Sequence, residues 1–242
     1  MKVELFVPCF IDQMYPETAF NTIKILERVG CEVIYNPEQT CCGQPAYNAG
    51  FWDEAKVVGE KFLNDFSEEH YIVAPSASCV GMIKNGYNDL FTNSVEHNRC
   101  RGIQRNMYEL SDFLVEVVKR DYFGAELVGT AVYHDSCSAL RECKIKDQPR
   151  QLLANVGGLE LVEMKDQETC CGFGGTFAVK FEGISSAMAE QKVQHALDVK
   201  ADYIISTDAS CLLQLKAYID KHQLPIRTLH LVDVLTSGWA NI

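Results

Sequence analysis

Two stretches of this chain, QTCCGQPAY at residues 39–47 and TCCGFGGTF at 169–177, place adjacent cysteines before a glycine, each time behind a threonine. Neighbouring cysteines are poor disulfide partners: their Cα atoms sit ~3.8 Å apart across a trans peptide, below the usual span of a bridge. On a regular strand their side chains would point to opposite faces. In a tight turn both can face a third object. The glycine that follows permits such a turn and lets bare backbone N–H groups approach negatively charged sulfur. Gly43, Gly172 and Gly174 are therefore read as cofactor-binding positions.

Further cysteines fall into step with these pairs. Cys9 and Cys137 are offset by 128 (137 − 9), Cys41 and Cys170 by 129 (170 − 41), and Cys79 and Cys211 by 132 (211 − 79). Three landmarks at nearly one offset indicate an internal duplication. Each half then offers four thiols: Cys9, Cys41, Cys42 and Cys79, and Cys137, Cys170, Cys171 and Cys211. Four thiolates suit one iron–sulfur cluster or one zinc ion. The absence of any short C-x₂₋₄-C knuckle among the eight favours the cluster. It also counts against a metal-free thiol–disulfide enzyme. Cys31, Cys100 and Cys143 have no counterpart in the other half and read as small buried hydrophobes. GFGG after Cys171 lacks the third glycine of a dinucleotide fingerprint. His134, in YHDSC, is read as a core or hydrogen-bonding residue, with an outer contact to the centre as the other reading. No catalytic base is identified.

The elements that must position these residues alternate strand and helix. KVELFVP is a strand ending at Cys9, PETAFNTIKILERVG a helix with Ala19, Ile23 and Leu26 on one face and Gly30 at its end, and CEVIYN a strand leading to Cys-Cys-Gly. FWDEAKVVGEKFLNDF is helical, and YIVAP is a buried strand stopping short of Ser76 and Cys79. A polar region, TNSVEHNRCRGIQ, and a helix, ELSDFLVEVVKR, follow. The second half repeats the order: GTAVYHD, the short helix QPRQLLANVGG, LELVEM, the helix SSAMAEQKVQHALDVK with Met188, Val193 and Leu197 on its apolar side, DYIIST, the helix LLQLKAYIDKH, IRTLHL as a last strand or extended piece, and VDVLTSG as a final turn. The expected fold is α/β, with two pseudo-repeated Rossmann-like lobes at 1–125 and 126–242, each a mostly parallel sheet flanked by helices. Ligands of such sheets lie beyond the carboxyl ends of the strands, where the paired cysteines fall.

The chain has 242 residues, 47% hydrophobic and 23% charged, with eleven cysteines and a net charge of −11. The acidic balance argues against binding nucleic acid or anionic lipid. No apolar run is long enough to span a bilayer, and the N-terminus reads as a strand rather than an export signal. The expected location is the cytoplasm, where so many cysteines imply metal or redox chemistry rather than disulfides.

The Cys…Cys-Cys-Gly…Cys pattern, present twice, resembles the cysteine-rich CCG domain found in heterodisulfide reductase and in the iron–sulfur component of glycolate oxidase. TCCGQPAYNAG, HDSCSALRECKIKDQP, TCCGFGGTFAVK and ASCLLQL look closest to its lactate utilisation protein A branch. The resemblance covers essentially the whole chain. It implies a cytoplasmic iron–sulfur oxidoreductase component in the oxidation of L-lactate to pyruvate. The implied partners are lactate utilisation proteins B and C, or an equivalent ferredoxin-type iron–sulfur protein. In the fuller family pattern each half ends with C-x-x-C. Here Ser76 and Asp208 stand at the first of those positions. The resemblance therefore implies up to two ordinary [4Fe–4S] centres on four thiolates each, with Ser76 or Asp208 as a further oxygen donor. A structural zinc or assembly module is the alternative.

Overall fold

A computed structural model describes residues 1–239. It has two four-stranded sheets, each wholly parallel. The first contains β1 (Lys2–Leu5), β2 (Glu32–Tyr35), β3 (Tyr71–Ala74) and β4 (Met107–Glu109) in the order β2-β1-β3-β4. The second contains β5 (Glu126–Tyr133), β6 (Gly157–Val162), β7 (Tyr203–Ser206) and β8 (Arg227–His230) in the order β6-β5-β7-β8. One order occurs twice, as the cysteine spacing requires of a duplicated unit. We propose the lobe boundary at 125/126, where β5 begins.

Parallel sheets are covered on both faces, so their central strands are continuously apolar. Ile72, Val73 and Ala74 of β3 and Ile204 and Ile205 of β7 are fully buried. One core is common to both lobes: Val3, Leu5 and Phe113 pack in the same cluster as Ala131, Tyr133, Leu152 and Leu231. Two smaller cores lie behind the cysteines. The first is aromatic, with Phe6, Phe62, Phe66, Tyr87 and Phe91. The second is aliphatic, with Val132, Ala189, Val193, Ile204 and Leu215.

Helix Pro16–Arg28 ends as expected at Gly30, whose φ of 83° is left-handed. Two elements depart from the expectation. The polar run after residue 93 forms helix Ser94–Asn106, capped by the Asn93 side chain, which accepts from the Glu96 N–H at 2.9 Å. β4 follows it directly. Three residues are too few to show alternation, and the helix buries only a narrow stripe, including Cys100 and Ile103. In helix Glu182–Asp198, Val193 is buried as expected. Met188 and Leu197 are only half-buried, and Ala189, Lys192 and Ala196 line the inner face instead.

Candidate metal centre

All eight paired cysteines come to one place. Cys9 opens helix Cys9–Met14 just past β1, and Cys137 leads into the helical turn Ser138–Cys143 just past β5. Cys79 lies in helix Ala77–Gly81 after β3, and Cys211 in helix Ala209–His222 after β7. The Cys-Cys-Gly turns follow β2 and β6. A cavity of about 600 Å³ between the lobes is lined by Cys9, Cys41, Cys42 and Cys79 on one side and Cys137, Cys170, Cys171 and Cys211 on the other. Phe10 and Phe173 meet edge to face across its rim, with ring centres 5.4 Å apart.

The turns need their glycines. Gly43 has φ 83° and Gly172 φ 92°. A Cβ on Gly43 would stand 3.1 Å from the Ala55 carbonyl oxygen, and one on Gly172 only 2.5 Å from that of Ser185. In this geometry the Gly43 N–H donates to Cys41 Sγ and the Gly172 N–H to Cys170 Sγ, each at 3.4 Å. Gly174 also has positive φ and lines the cavity.

Sulfur crowding polarises each cage. The Cys9 thiol donates to Cys41 Sγ at 3.9 Å. Donation from Cys42, then from Cys9 and the Gly43 N–H, pushes the Cys41 thiol down to about 3. Donation from Cys137 and Cys171, with the Gly172 N–H, pushes Cys170 down to about 2. The donors move the other way: Cys9 and Cys42 are pushed up chiefly by bonding to Cys41, and Cys137 and Cys171 chiefly by bonding to Cys170. One thiolate per cage, held by a backbone N–H, is a donor set ready for a cationic metal group.

The loops that carry the pairs are pinned from below. In the first lobe Gln39 does this: its Oε1 accepts from the Val7 N–H at 2.7 Å, and its Nε2 donates to the carbonyls of Asn36 and Leu5 at 2.9 and 3.2 Å. In the second lobe Lys192, only 1% exposed, donates its ammonium to the carbonyls of Asp166 and Gln167 at 2.6 and 2.9 Å. Its burial pushes the amine down from its ordinary range. Lys192 was not singled out from the sequence, although a charge at the centre of an otherwise apolar helical stripe is a readable signal.

Asp208 lines the cavity but is fully engaged. Its carboxylate accepts from the Ser78 N–H (3.0 Å), the Ser78 hydroxyl (2.7 Å), Ser136 (3.1 Å) and Ser210 (3.2 Å). Burial pushes its carboxyl up against the pull of these donors. Ser76, the equivalent position of the first lobe, meets Ser78 at 3.3 Å. Cys31 and Cys100 are buried in apolar clusters, as expected, and Cys143 is half-buried between the lobes with its thiol on the Ala77 carbonyl at 3.4 Å. None of the three lines the cavity. His134 is fully buried, as expected of a core residue, yet neither ring nitrogen has a hydrogen-bond partner. Burial, reinforced by the Lys192 ammonium, pushes it down to about 3, so the imidazole is neutral.

Residues 3–84 and 131–216 match the cysteine-rich domain family known as CCG, one match in each lobe. The chain belongs to this family. It is 43% identical to lactate utilization protein A of Geobacillus kaustophilus (strain HTA426), over 98% of this chain and 99% of that one. It is 41% identical to lactate utilization protein A of Halalkalibacterium halodurans, over 97% of this chain and 96% of that one. A crystal structure of a protein from Helicobacter pylori superposes with a TM-score of 0.65 over 99% of this chain and 49% of that chain. At 10% identity it speaks for the fold alone. Among the described residues no helix is long and apolar enough to cross a membrane.

Proposed function

We propose that the chain is an iron–sulfur component of a multi-protein system that oxidises L-lactate to pyruvate. Each lobe holds one cluster: Cys9, Cys41, Cys42 and Cys79 hold the first, and Cys137, Cys170, Cys171 and Cys211 the second. The observation that carries this reading is the single cavity of about 600 Å³ onto which both cysteine sets open. A purely structural metal needs no such space. Its volume falls within the range of small-molecule sites. The names of the relatives supply the substrate class.

Bound clusters would supply one-electron transfer at a potential set by their surroundings. Oxidising a 2-hydroxy acid to a 2-oxo acid releases two electrons and two protons. Two one-electron sites on one cavity match that number, and a ferredoxin-type partner, such as lactate utilisation protein B or C, would take the electrons onward. In this chain the cysteines hold the centres, and the N–H groups of Gly43 and Gly172 stabilise the charge on Cys41 and Cys170. Phe10 and Phe173 screen one rim from water. Asp208, engaged by four donors, braces the cavity wall.

One observation favours a second reading. The 3.9 Å between Cys9 Sγ and Cys41 Sγ is close to the ~3.8 Å that two sulfurs adopt on one tetrahedral zinc. Iron, acid-labile sulfide and zinc per chain, with an EPR spectrum, decide between the two on protein purified without oxygen. About eight irons and eight sulfides are expected, falling to about half in Cys41→Ser and in Cys170→Ser. Stoichiometric zinc without iron would replace the redox role by a structural one.

A further inference from the structure

The two cysteine cages are backed by chemically different walls. Their backbones are in register: the Phe6 N–H donates to Val73 O at 2.9 Å, and the His134 N–H to Ile205 O at 2.8 Å. Phe6 and His134 are thus equivalent positions. The helix behind each Cys-Cys-Gly is in register too. Gly43 faces Ala55 and Val58, and Gly172 faces Ser185 and Met188. The same offset of 130 (185 − 55, 188 − 58) makes Lys192 the equivalent of Phe62. In the first lobe this pair is apolar, with the Phe6 and Phe62 rings edge to face at 5.0 Å. In the second lobe it is an imidazole and an ammonium.

A polar pair in a fully buried position must be accounted for. Lys192 is, through the two carbonyls it binds. His134 is not: both Nδ1 and Nε2 are buried and without partners. An unmet polar group of this kind is destabilising, and the first lobe shows that a phenylalanine fits the equivalent site. A ring nitrogen of His134 and the Sγ atoms of Cys171 and Cys211 all lie within 4.8 Å of one another. The orphaned imidazole therefore stands at the cage itself.

We propose that His134 is a nitrogen ligand to the metal group held by the second lobe, so that the first centre is all-thiolate and the second is mixed thiolate and imidazole. This rests on the iron–sulfur reading above. Imidazole brings no negative charge to the iron, so the second centre is the more easily reduced of the two.

The test is pulsed EPR on the full chain carrying Cys41→Ser, which leaves the second centre alone, purified without oxygen and examined in its paramagnetic oxidation state. A directly bound nitrogen gives a hyperfine coupling well above that of backbone amides. That coupling should change from a ¹⁴N to a ¹⁵N pattern on labelling with ¹⁵N-histidine and should vanish in His134→Phe. If that variant fails to hold iron, the labelling result on His134 protein still decides, and His134→Gln provides a second substitution. Iron present in the second lobe, with only amide-sized couplings untouched by histidine labelling, would overturn the ligand assignment alone. No iron in the second lobe would overturn the cluster reading and this assignment together.

Discussion

Ser78 of the first lobe gives both its backbone N–H and its hydroxyl to the carboxylate of Asp208 in the second, at 3.0 and 2.7 Å. The bond pair ties the helix that carries Cys79 to the turn that precedes Cys211. Ser78→Ala removes one of four donors from a buried anion and should cost about 1–2 kcal/mol. A double-mutant cycle with Asp208→Asn, read by urea unfolding, should show a coupling of about 1 kcal/mol. Strict additivity would mean that the two lobes are not joined through this contact.

The two turn glycines should differ in their tolerance. Both have left-handed backbones, but the Cβ of Gly172→Ala would lie 2.5 Å from the Ser185 carbonyl oxygen, against 3.1 Å from Ala55 O for Gly43→Ala. Gly30 has the same backbone and open space around it. Gly30→Ala should therefore cost about 1 kcal/mol, Gly43→Ala more, and Gly172→Ala the most, on the order of 3 kcal/mol. Thermal unfolding of the three variants gives the ranking. An equal loss at all three would show that φ alone governs these positions.

Arg150 clamps Asp135 with two parallel bonds of 2.9 and 2.7 Å, and Asp135 is fully buried next to His134. Arg150→Ala strands a carboxylate without its partner. The expected loss is about 3–5 kcal/mol, whereas Arg150→Ala with Asp135→Asn should recover part of it. Chemical denaturation midpoints of the single and double variants check this. A single variant within about 1 kcal/mol of the parent would show that Asp135 finds other donors.

Glu109, at the end of β4, is 1% exposed and accepts from the Ser111 N–H at 2.8 Å. Burial pushes its carboxyl up from 4.5 to about 8 despite that bond. A carboxyl raised in the folded state binds its proton more tightly there than when unfolded. Its contribution is fully present below pH 4.5 and is lost as the pH rises through about 8. Stability should therefore fall across this window, by up to about 5 kcal/mol from this group. Glu109→Gln should flatten the slope. Parallel pH series of unfolding free energy for the two proteins isolate the effect, and identical slopes would refute it.

The repeated strand order was legible in the sequence because strand-forming runs such as YIVAP and DYIIST are short, apolar and bounded by polar or turn residues. The cysteine spacing carried the duplication on its own. β4 and helix Ser94–Asn106 were not legible: the strand has three residues, and the helix shows the core little more than Cys100 and Ile103. The gathering of four cysteines in each lobe follows from placing each at a strand's carboxyl end, a rule of parallel sheets; that both sets open onto one cavity does not, because it depends on how the lobes dock. The polar pair buried behind the second cage does not follow from any such rule. Lys192 and His134 become neighbours only once β5 and a helix about 50 residues later are folded together. Ser78 and Asp208 meet only when the lobes dock.

The shared core and the single cavity make the two halves interdependent, yet Phe6 and Phe62 answer to His134 and Lys192. In a pair of identical halves, every substitution made for one site is imposed on the other. One continuous chain lifts that constraint. Each half can keep the scaffold that both require while its interior wall drifts toward a separate task. One chain thus carries a symmetric container with two dissimilar back walls.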